Sequence, residues 1–576
     1  MLFRSGKWKF TGFGVAFLSV AVHAADRTWN GGGTEANWSL ANNWGGNAPA
    51  AGDALFFGGT TKAVNTNDIE GLSITGLTFN SGAIGFTLAG NGLMLGGDLV
   101  NNDNDTQTVN LPLTLDATRT VYTTGGPVTL GGTLSGAGGL IKESANYLTL
   151  TASNSYEGAT LINTGVVRIT HGYALGSTNG STTVSTIGRA RLELSGGITV
   201  AEPLTFSGGN NSSRCLQNVS GSNVITGPMT LSGGRFGADS GTLVIAGGVF
   251  GNPFFVINGG ATLIFTAKPL ALGTLYADDV GLTILDVAGN TWSSTTVAKG
   301  TLRMNVADAM PANTTLRVGL DYGPAGTLDL NGYGQTVSQL FSGTRLAGTR
   351  RIISATPALL TVNQSANTIF DGGFTGAAGL CKTGTGTLTL TNATPWTTTG
   401  DVIVSNGTLV VAALASLGNS TNIVIAGGVL DLQGANALAD AASLFIETGS
   451  ARVKVAADLT ETVDKLYLDG VQQRSGFYGT TASGAVNADD DHFDGLGMVY
   501  VASNPPIEPT THIWDAEGTD TLFSTSANWD DDATPPFDGT THAIFATGGS
   551  TATVDTAASL YRSEERRVGK ECRSRW

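Results

Sequence analysis

The sequence consists largely of segments of three to six residues in which apolar and polar residues alternate, separated by Gly, Asn or Ser. Examples are LTLT from Leu148 and GTLVV from Gly407. Alternation with a period of two places Leu or Val on one face of a strand and Thr on the other. One such strand cannot bury its apolar face alone, whereas strands stacked in coils can, about 4.8 Å apart. The pattern therefore predicts a chain wound into stacked coils.

A longer segment occurs twice in full and once in part. GGLIKESANYLTLTASNSYEGATLINTGVVRIT begins at Gly138, and AGLCKTGTGTLTLTNATPWTTTGDVIVSNGTLVVA begins at Ala378. A constant offset aligns four residues of the first copy with four of the second, namely Leu140, Leu148, Leu150 and Tyr156 with Leu380, Leu388, Leu390 and Trp396. After a two-residue insertion Gly165 aligns with Gly407, and the partial copy LDVAGNTWSSTTVAKGTLRMN carries Trp292 and Gly300 in these roles.

Each copy is followed by a strand that reads apolar, acidic, apolar, with Glu193, Asp329 or Asp431 at its centre. Strands that recur within coils of about 20–25 residues predict an all-β solenoid, most simply a parallel β-helix. A β-propeller or a string of sandwiches is the alternative, but no blade signature of about 40 residues supports the propeller.

Composition limits the classes of partner. The 576 residues include 82 Gly, and 30 Lys and Arg stand against 45 Asp and Glu, for a net charge of −15. An acidic chain without a basic footprint argues against nucleic acid. No segment in the body of the chain reaches the ~18 apolar residues that a membrane helix needs. Few cysteines exclude a disulfide framework, although Cys215 and Cys381 could pair.

The sequence predicts that the first 24 and the last 15 residues do not belong to the folded domain. Residues 1–24 read as a secretory signal, with Arg4, Lys7 and Lys9 before a short apolar stretch and Ala24 at the cleavage position. The last stretch, 562–576, reads RSEERRVGKECRSRW and resembles the translation of a sequencing adapter. We therefore leave both ends out of the fold prediction.

A second repeat has a period of 485 residues. Five residues near the start, Trp29, Trp38, Asn43, Trp44 and Asp53, align with Trp514, Phe523, Asn528, Trp529 and Asp538. After a four-residue insertion, ALF from Ala54 aligns with AIF from Ala543. These repeats predict a Trp-rich cap at 25–60, a β-helix module at 61–503, a Pro-rich linker at 504–511 and the start of a second module at 512–561.

The segment GLCKTGTGTLTLT…GDVIVSNGTLVV closely resembles the autotransporter-associated β-strand repeat, also called the passenger-associated transport repeat. The flanking GTLDLNGYGQTVSQL and LYLDGVQQ…GFYG fit proteins that carry it. The specific matches cover about three units, and looser ones cover most of 26–505. The resemblance implies a right-handed β-helix of the pectin-lyase type on an exported, surface or secreted protein of a Gram-negative-type bacterium.

Three places could carry site chemistry. Asp103 and Asp105 lie in NNDND, which lacks the Gly and Glu of a calcium loop, so a solvated turn is favoured over a Ca²⁺ site. The run 489–491 with His492 and Asp494 is a solvated loop or a set of hard oxygen ligands. Asp530, Asp531 and Asp532 align with Gly45, Gly46 and Asn47, which argues against chemistry shared by the two copies.

The tryptophans of the first 60 residues allow two interpretations. Trp29, Trp38 and Trp44 form either a platform that stacks on glycans or a cap on the first coil, and their recurrence at 512–561 favours the cap. Tyr156, Trp292 and Trp396 share one repeat position and are expected to pack in the core or at corners.

Taken together, the sequence predicts an exported, non-enzymatic β-helical protein without cofactors, adhesin-like or an autotransporter passenger, with extracellular glycans or cell surfaces as partners. The alternative is a polysaccharide lyase or glycoside hydrolase on the same scaffold. That alternative requires carboxylates to converge in one groove with an arginine such as Arg345, Arg350 or Arg351. Sequence motifs for catalytic histidines or serines are absent.

Overall fold

A computed structural model describes residues 24–555, except 186–188, 208–213, 234, 252–253, 258–259, 321–325, 343–349, 393–395, 448, 507–509, 531, 537–539 and 546–551. The predicted signal segment and the adapter-like segment at 562–576 lie outside the described residues. The chain divides into two compact units, one formed by 1–471 with 476–500 and the other by 472–475 with 501–576.

The first unit is a parallel β-solenoid of about 18 turns, and helix accounts for about 2% of the chain. This confirms the predicted all-β solenoid. In one of its sheets, fifteen strands pair in parallel. These strands are Asp26–Trp29, Asp53–Phe57, Leu72–Phe79, Leu93–Leu95, Leu99–Asn101, Leu113–Leu115, Arg119–Tyr122, Leu134–Ser135, Leu140–Glu143, Thr160–Ile162, Thr182–Ser185, Leu204–Ser207, Met229–Leu231, Val249–Gly251 and Leu270–Ala271.

A second set of 28 strands covers the other faces of the coils. They are Val64–Asn67, Thr87–Gly90, Gln107–Val109, Val128–Leu130, Tyr147–Leu150, Val166–Ile169, Arg191–Ser195, Thr199–Val200, Arg214–Ser220, Ser222–Ile225, Arg235–Ala238, Thr242–Ile245, Phe254–Ile257, Thr262–Thr266, Thr274–Asp286, Ser294–Met304, Thr315–Val318, Thr327–Asp329, Gln335–Val337, Gln339–Ser342, Arg351–Asn363, Gly373–Thr383, Thr397–Thr398, Val402–Val404, Asn422–Ile425, Ser443–Ile446, Lys465–Leu468 and Val471–Gln472. The longest of them each pair with several strands through shifts in register.

Two smaller sheets complete the first unit. The six-stranded sheet contains Thr368–Phe370, Thr387–Leu390, Thr408–Val411, Val429–Leu432, Arg452–Val455 and Phe493–Gly495. The four-stranded sheet contains Thr460–Val463, Met498–Val501, Gly476–Gly479 and Asn487–Ala488. Short 3₁₀ helices span Ala41–Trp44 and Thr481–Ser483. Within the described part of the chain, no helix is long and apolar enough to cross a membrane.

The core consists of apolar columns that run through successive coils. In the strand Tyr147–Leu150, Leu148 and Leu150 are buried and Thr149 faces outward, as the alternation predicts. In-register pairing stacks Leu148 between Val128 and Val167, so like residues meet from coil to coil. Each coil thus covers the apolar residues of its neighbours, which a single strand cannot do for itself.

The second unit contains one parallel pair, Thr510–Trp514 with Thr541–Phe545, and a 3₁₀ helix at Ser526–Asn528. Its buried core consists of Trp514, Phe523 and Trp529. Trp514 and Trp529 meet edge to face, with ring centroids 5.2 Å apart. The Trp and Phe residues that recur at 512–561 therefore form a small aromatic core within the second unit.

Candidate functional site

A buried lysine occupies the same place in both full repeats. Lys142 donates hydrogen bonds to the carbonyl oxygens of Glu143, Ser144 and Thr164 at 2.7, 2.6 and 3.2 Å. Its side chain is fully buried, and burial lowers its pKa to about 8, so the ammonium group is still protonated at neutral pH. The ammonium group joins two consecutive coils, because Thr164 lies one coil beyond Lys142.

Lys382 repeats this arrangement 240 residues later. It donates to the carbonyl oxygens of Thr383, Gly384 and Asn406 at 2.8, 2.9 and 3.2 Å, and burial lowers its pKa to about 8. Asn406 replaces Thr164 at an offset of 242, which matches the two-residue insertion found in the sequence. We name each lysine with its three carbonyl groups a lysine cage.

Glycine is required beside each cage. Gly165 and Gly407 have φ of +74° and +69°, in the left-handed region. A Cβ atom on either residue would lie 2.8 Å from the lysine Nζ atom and still closer to backbone oxygen atoms. The sequence alignment of these two glycines therefore has a steric cause, and the lysine side chain is part of that cause.

The aromatic position shared by the three copies is buried in each. Tyr156 donates or accepts a hydrogen bond with Thr160 Oγ1 at 2.6 Å, and Trp292 Nε1 donates to Thr295 Oγ1 at 2.7 Å. Trp396 Nε1 donates to the Gly372 carbonyl at 3.3 Å. These side chains pack in the interior with their polar atoms bonded, as the sequence predicts.

The N-terminal tryptophans form a buried aromatic cluster. Trp29, Trp38 and Trp44 are each at most 4% exposed, and all three contact Phe57 with ring centroids 5.6–5.9 Å apart. A glycan platform requires an exposed ring face, and burial leaves these rings without one. The function of the cluster as a cap remains a proposal, but its location on the first strands of the solenoid is compatible with it.

The second unit reproduces this cluster in detail. Trp44 Nε1 donates to the Trp38 carbonyl at 2.8 Å, and Trp529 Nε1 donates to the Phe523 carbonyl at 3.1 Å. Gly33 and Gly518 donate their amides to the side-chain oxygens of Asn43 and Asn528, which lie at the same offset of 485. The longer sequence repeat is therefore also a repeat in three dimensions.

The structure corrects one detail of that alignment. Trp29 pairs with Phe57 and Trp514 pairs with Phe545, so Phe545 corresponds to Phe57 rather than to Phe56. The insertion is therefore three residues rather than four. A shift of one residue along a strand exchanges its two faces, and only Phe57 points into the aromatic cluster.

The acidic residues of the apolar-acidic-apolar strands are paired with bases on neighbouring coils. Arg168 donates to Glu193 at 2.7 and 2.9 Å, and Arg303 donates to Asp329 at 2.8 Å. Lys454 lies 3.1 Å from Asp431 in the same way. In each case the two residues are direct partners on adjacent parallel strands, so these carboxylates neutralise cations of the outer face.

The arginines that an enzyme would need do not gather at a carboxylate cluster in the described chain. Arg350 is buried, forms an ion pair with Asp371 and donates to the Leu320 carbonyl at 3.0 Å. Arg351 is exposed at the start of its strand, and Arg345 lies outside the described residues. Two shallow grooves of about 460 and 560 Å³ exist, and Asp401 is the one ionisable side chain among their described lining residues.

Asp103 lies in a turn whose residues Asn102, Asn104 and Asp105 are exposed, as predicted, but its own side chain is buried. Its side chain is 2% exposed, and its two carboxylate oxygens accept the amides of Gly82 and Asp105 at 2.9 and 2.8 Å. Asn101 in turn accepts the Asp103 amide at 2.9 Å. Backbone donors therefore occupy both oxygens. In the described residues, no group of three His, Cys, Asp or Glu is arranged to hold a metal ion.

His492 has acidic partners that sequence inspection missed. Its Nδ1 lies 2.8 Å from Asp489 and its Nε2 lies 3.3 Å from Asp469, 23 residues earlier. Burial opposes protonation, but hydrogen bonds and charge from these two carboxylates outweigh it and raise the pKa of His492 above its usual value. Asp490 instead binds the amide and hydroxyl of Thr481. These contacts hold the segment 489–492, which we name the closing loop, to Asp469 and Thr481.

Two buried carboxyl groups also went unrecognised in the sequence. Glu461 accepts the amides of Ala437 and Leu438 at 3.2 and 2.7 Å, and burial raises its pKa to about 7. Glu202 is 3% exposed, and neither of its oxygens has a hydrogen-bond partner at bonding geometry, although the nearby Thr182 hydroxyl lowers its pKa slightly. Burial nonetheless raises the pKa of Glu202 to about 7.

The two cysteines of the described chain are both free. Cys215 is buried, and burial raises its thiol pKa to about 12, which makes it unreactive at neutral pH. Cys381 is half-buried. The alternative in which the two pair is therefore wrong for this structure.

These features define a repetitive parallel β-solenoid whose polar side chains serve chiefly to connect its coils. Residues 140–169 and 380–411 match the passenger-associated-transport-repeat family, and each match contains one lysine cage. The chain is also 28% identical over 464 residues to the Adhesin BmaC autotransporter of Brucella suis biovar 1 (strain 1330). That similarity covers 67% of this chain and 13% of the adhesin. No solved structure matches the chain.

Proposed function

We propose that this chain is an exported, non-enzymatic adhesin or autotransporter passenger that displays a β-solenoid at the cell surface of a Gram-negative-type bacterium or releases it. The observation that carries the proposal is the pair of passenger-associated transport repeats, each folded around a lysine cage, within a relative of an adhesin. Extracellular glycans or host-cell surfaces are the partners that this function requires.

The chemistry of the outer face favours binding over catalysis. The central acids of the three apolar-acidic-apolar strands are engaged by Arg or Lys of the neighbouring coil, which leaves them poor general acids or bases. Outward threonines instead repeat along the coils, as at Thr108, Thr129 and Thr149, and can offer many weak contacts to a large partner.

We also propose that the aromatic clusters are caps and that 512–561 begins a second module after the linker at 504–511. The proposal is supported by the place of each cluster, because Trp29 and Phe57, and likewise Trp514 and Phe545, are partners in the first described parallel strand pair of their own unit. The equivalent contacts of Asn43 and Asn528 support a common origin for the two.

Adhesion is tested with the purified full chain, labelled and added to cultured epithelial cells and to immobilised extracellular glycans. We expect saturable binding that is lost when the same preparation is thermally unfolded. Failure to bind across a broad panel of cells and glycans would contradict the adhesin proposal. Release of reducing sugars or unsaturated uronides from the same glycans would contradict the non-enzymatic part.

A further inference from the structure

Residues 160–240 differ in charge from the rest of the chain. This stretch contains five arginines against three acidic residues, in a chain with a net charge of −15. No lysine lies between Lys142 and Lys268, so the positive charge here is carried by guanidinium groups alone. The arginines are Arg168, Arg189, Arg191, Arg214 and Arg235, and the acids are Glu193, Glu202 and Asp239.

Four of these arginines lie on four consecutive strands of one sheet. Arg168, Arg191, Arg214 and Arg235 belong to Val166–Ile169, Arg191–Ser195, Arg214–Ser220 and Arg235–Ala238, which pair in this order. Arg214 and Arg235 are direct register partners. At about 4.8 Å between strands, the row extends over about 14 Å along the solenoid. We name these four residues the arginine ladder.

Internal pairing uses only part of the positive charge of the ladder. Glu193 is shared by Arg168 and Arg191, at 2.7 and 2.6 Å, and Asp239 pairs with Arg214. Glu202 is buried, and burial raises its pKa to about 7, so it is only partly ionised at neutral pH. The described chain gives the Arg235 guanidinium no ion-pair partner, and its Nε is buried without a hydrogen bond. Two carboxylates thus face four guanidinium groups.

The ladder is accessible and held in position. The side chains of Arg168, Arg191 and Arg214 are 36%, 29% and 31% exposed. The Arg168 guanidinium carbon lies 5.0 Å above the Tyr147 ring, and Arg191 donates to the Tyr147 hydroxyl at 3.3 Å. Such fixing reduces the rotamer entropy that each arginine loses when it binds an anion.

The form of the ladder selects among anionic partners. Guanidinium groups bind carboxylates and sulfates with two parallel hydrogen bonds, and guanidinium groups on four consecutive strands suit a linear polymer that carries such groups at intervals. A lipid surface would require apolar side chains to insert, and the described residues of the four ladder strands include no exposed large apolar side chain.

We propose that the arginine ladder is the contact surface for an anionic polysaccharide, whose carboxylate or sulfate groups the guanidinium groups bind. The inference rests on the proposed adhesin function and specifies its ligand class. The net charge of −15 describes the whole chain and does not reveal a local basic surface such as the ladder.

The test uses the full chain with immobilised polygalacturonate and heparin as the carboxylate and sulfate probes, and neutral dextran as the reference. Arg191→Gln/Arg235→Gln is compared with the charge-matched control Arg119→Gln/Arg303→Gln, which removes two arginines elsewhere on the solenoid. Circular dichroism and a thermal melt establish whether each variant is folded. If the ladder double variant does not fold, Arg168→Gln, which replaces a more exposed arginine, takes its place.

We expect binding to at least one anionic polysaccharide that weakens with added salt, no binding to dextran, and about tenfold weaker binding for the ladder variant than for the control. Equal weakening in the two double variants would overturn the proposal, as would equally strong binding to neutral dextran. If the chain binds cells but neither polyanion, the ladder proposal fails and the adhesin proposal stands. If it binds nothing, the adhesin proposal fails as well.

Discussion

At the scale of single residues, buried ionisable groups serve the solenoid in two opposite ways. Lys142 and Lys382 each give three hydrogen bonds to backbone carbonyl groups, so the buried charge is compensated. In the part of the chain that the structure describes, no donor lies at bonding geometry to Glu202 and Glu461 accepts two backbone amides, and burial raises the pKa of both carboxyl groups. The lysines are therefore expected to stabilise the fold and the ionised carboxyls to weaken it.

Replacement of Lys382 tests the lysine cage. In Lys382→Met the three carbonyl groups lose a charged donor while the side-chain volume is nearly kept, so we expect unfolding free energy to fall by about 3 kcal/mol. Chemical denaturation measures the change. Lys268→Met, the same replacement at an exposed lysine, is the control and should change stability by no more than about 0.5 kcal/mol. Equal losses of unfolding free energy in both variants would show that the hydrogen bonds of the cage do not stabilise the fold.

Replacement of Glu461 tests the buried carboxyls through pH. With a pKa of about 7 when folded and 4.5 when unfolded, the folded chain binds more protons between these values, so stability falls as pH rises through this window. In Glu461→Gln this contribution disappears. We expect the stability of the variant relative to the natural chain to increase by about 2–3 kcal/mol from pH 4.5 to pH 8.

Denaturant unfolding at several pH values measures this difference. Glu447→Gln, at an exposed position on the same part of the solenoid, provides the control because an exposed carboxyl has similar surroundings in both states. A constant difference between Glu461→Gln and the natural chain across the window would rule out a raised pKa in the folded state.

At the scale of strands and turns, the alternation of apolar and polar residues and the spacing of glycines are sufficient to predict the solenoid. They do not predict which side chains form ion pairs between adjacent coils. The sequence of one strand is enough to predict that Leu148 points inward and Thr149 outward, because side-chain direction has a period of two. Which residues meet across coils depends on the turn lengths between strands. Arg168 pairs with Glu193 25 residues away, Arg303 with Asp329 26 away, and Lys454 with Asp431 23 away. No fixed spacing in the sequence therefore identifies these pairs.

The dependence of contacts between coils on turn length also explains which parts of the candidate sites the sequence does not predict. The lysine cages lie inside a recognisable repeat, yet their function depends on carbonyl groups one coil away. The contact of His492 with Asp469 joins the closing loop to an earlier turn, and only the folded register brings them together. In contrast, the Trp-rich clusters were predictable as a unit, since most of their members are close in sequence and recur at a fixed offset.

The closing loop is expected to respond to pH through His492. Its pKa is raised above the usual 6.5, so the protonated ring stabilises the folded state at pH values below 6.5, and this contribution is lost as pH rises through the higher, folded value. We expect backbone protection in Gly476–Gly479 and Phe493–Gly495 to decline over that window. Hydrogen exchange at a series of pH values measures it, after correction for the intrinsic exchange rate.

His492→Gln provides the comparison for this element. The amide can keep a hydrogen bond to Asp489 but cannot gain a proton, so protection of the two strands should become independent of pH from near neutrality upward. Protection in the remote strand Leu93–Leu95 is the internal reference. An unchanged pH profile in His492→Gln would mean that another group controls the closing loop.

At the scale of the whole molecule, the two compact units have aromatic clusters of the same design. We expect each cluster to stabilise its own unit, because loss of a buried tryptophan costs about 3–5 kcal/mol where the cavity forms. Trp529→Ala should therefore abolish hydrogen-exchange protection in Thr510–Trp514 and leave Leu148 and its neighbours protected. Trp44→Ala should lower protection in Asp53–Phe57 and leave Thr510–Trp514 unchanged. A loss in both units from either single change would show that they fold as one cooperative body rather than as two.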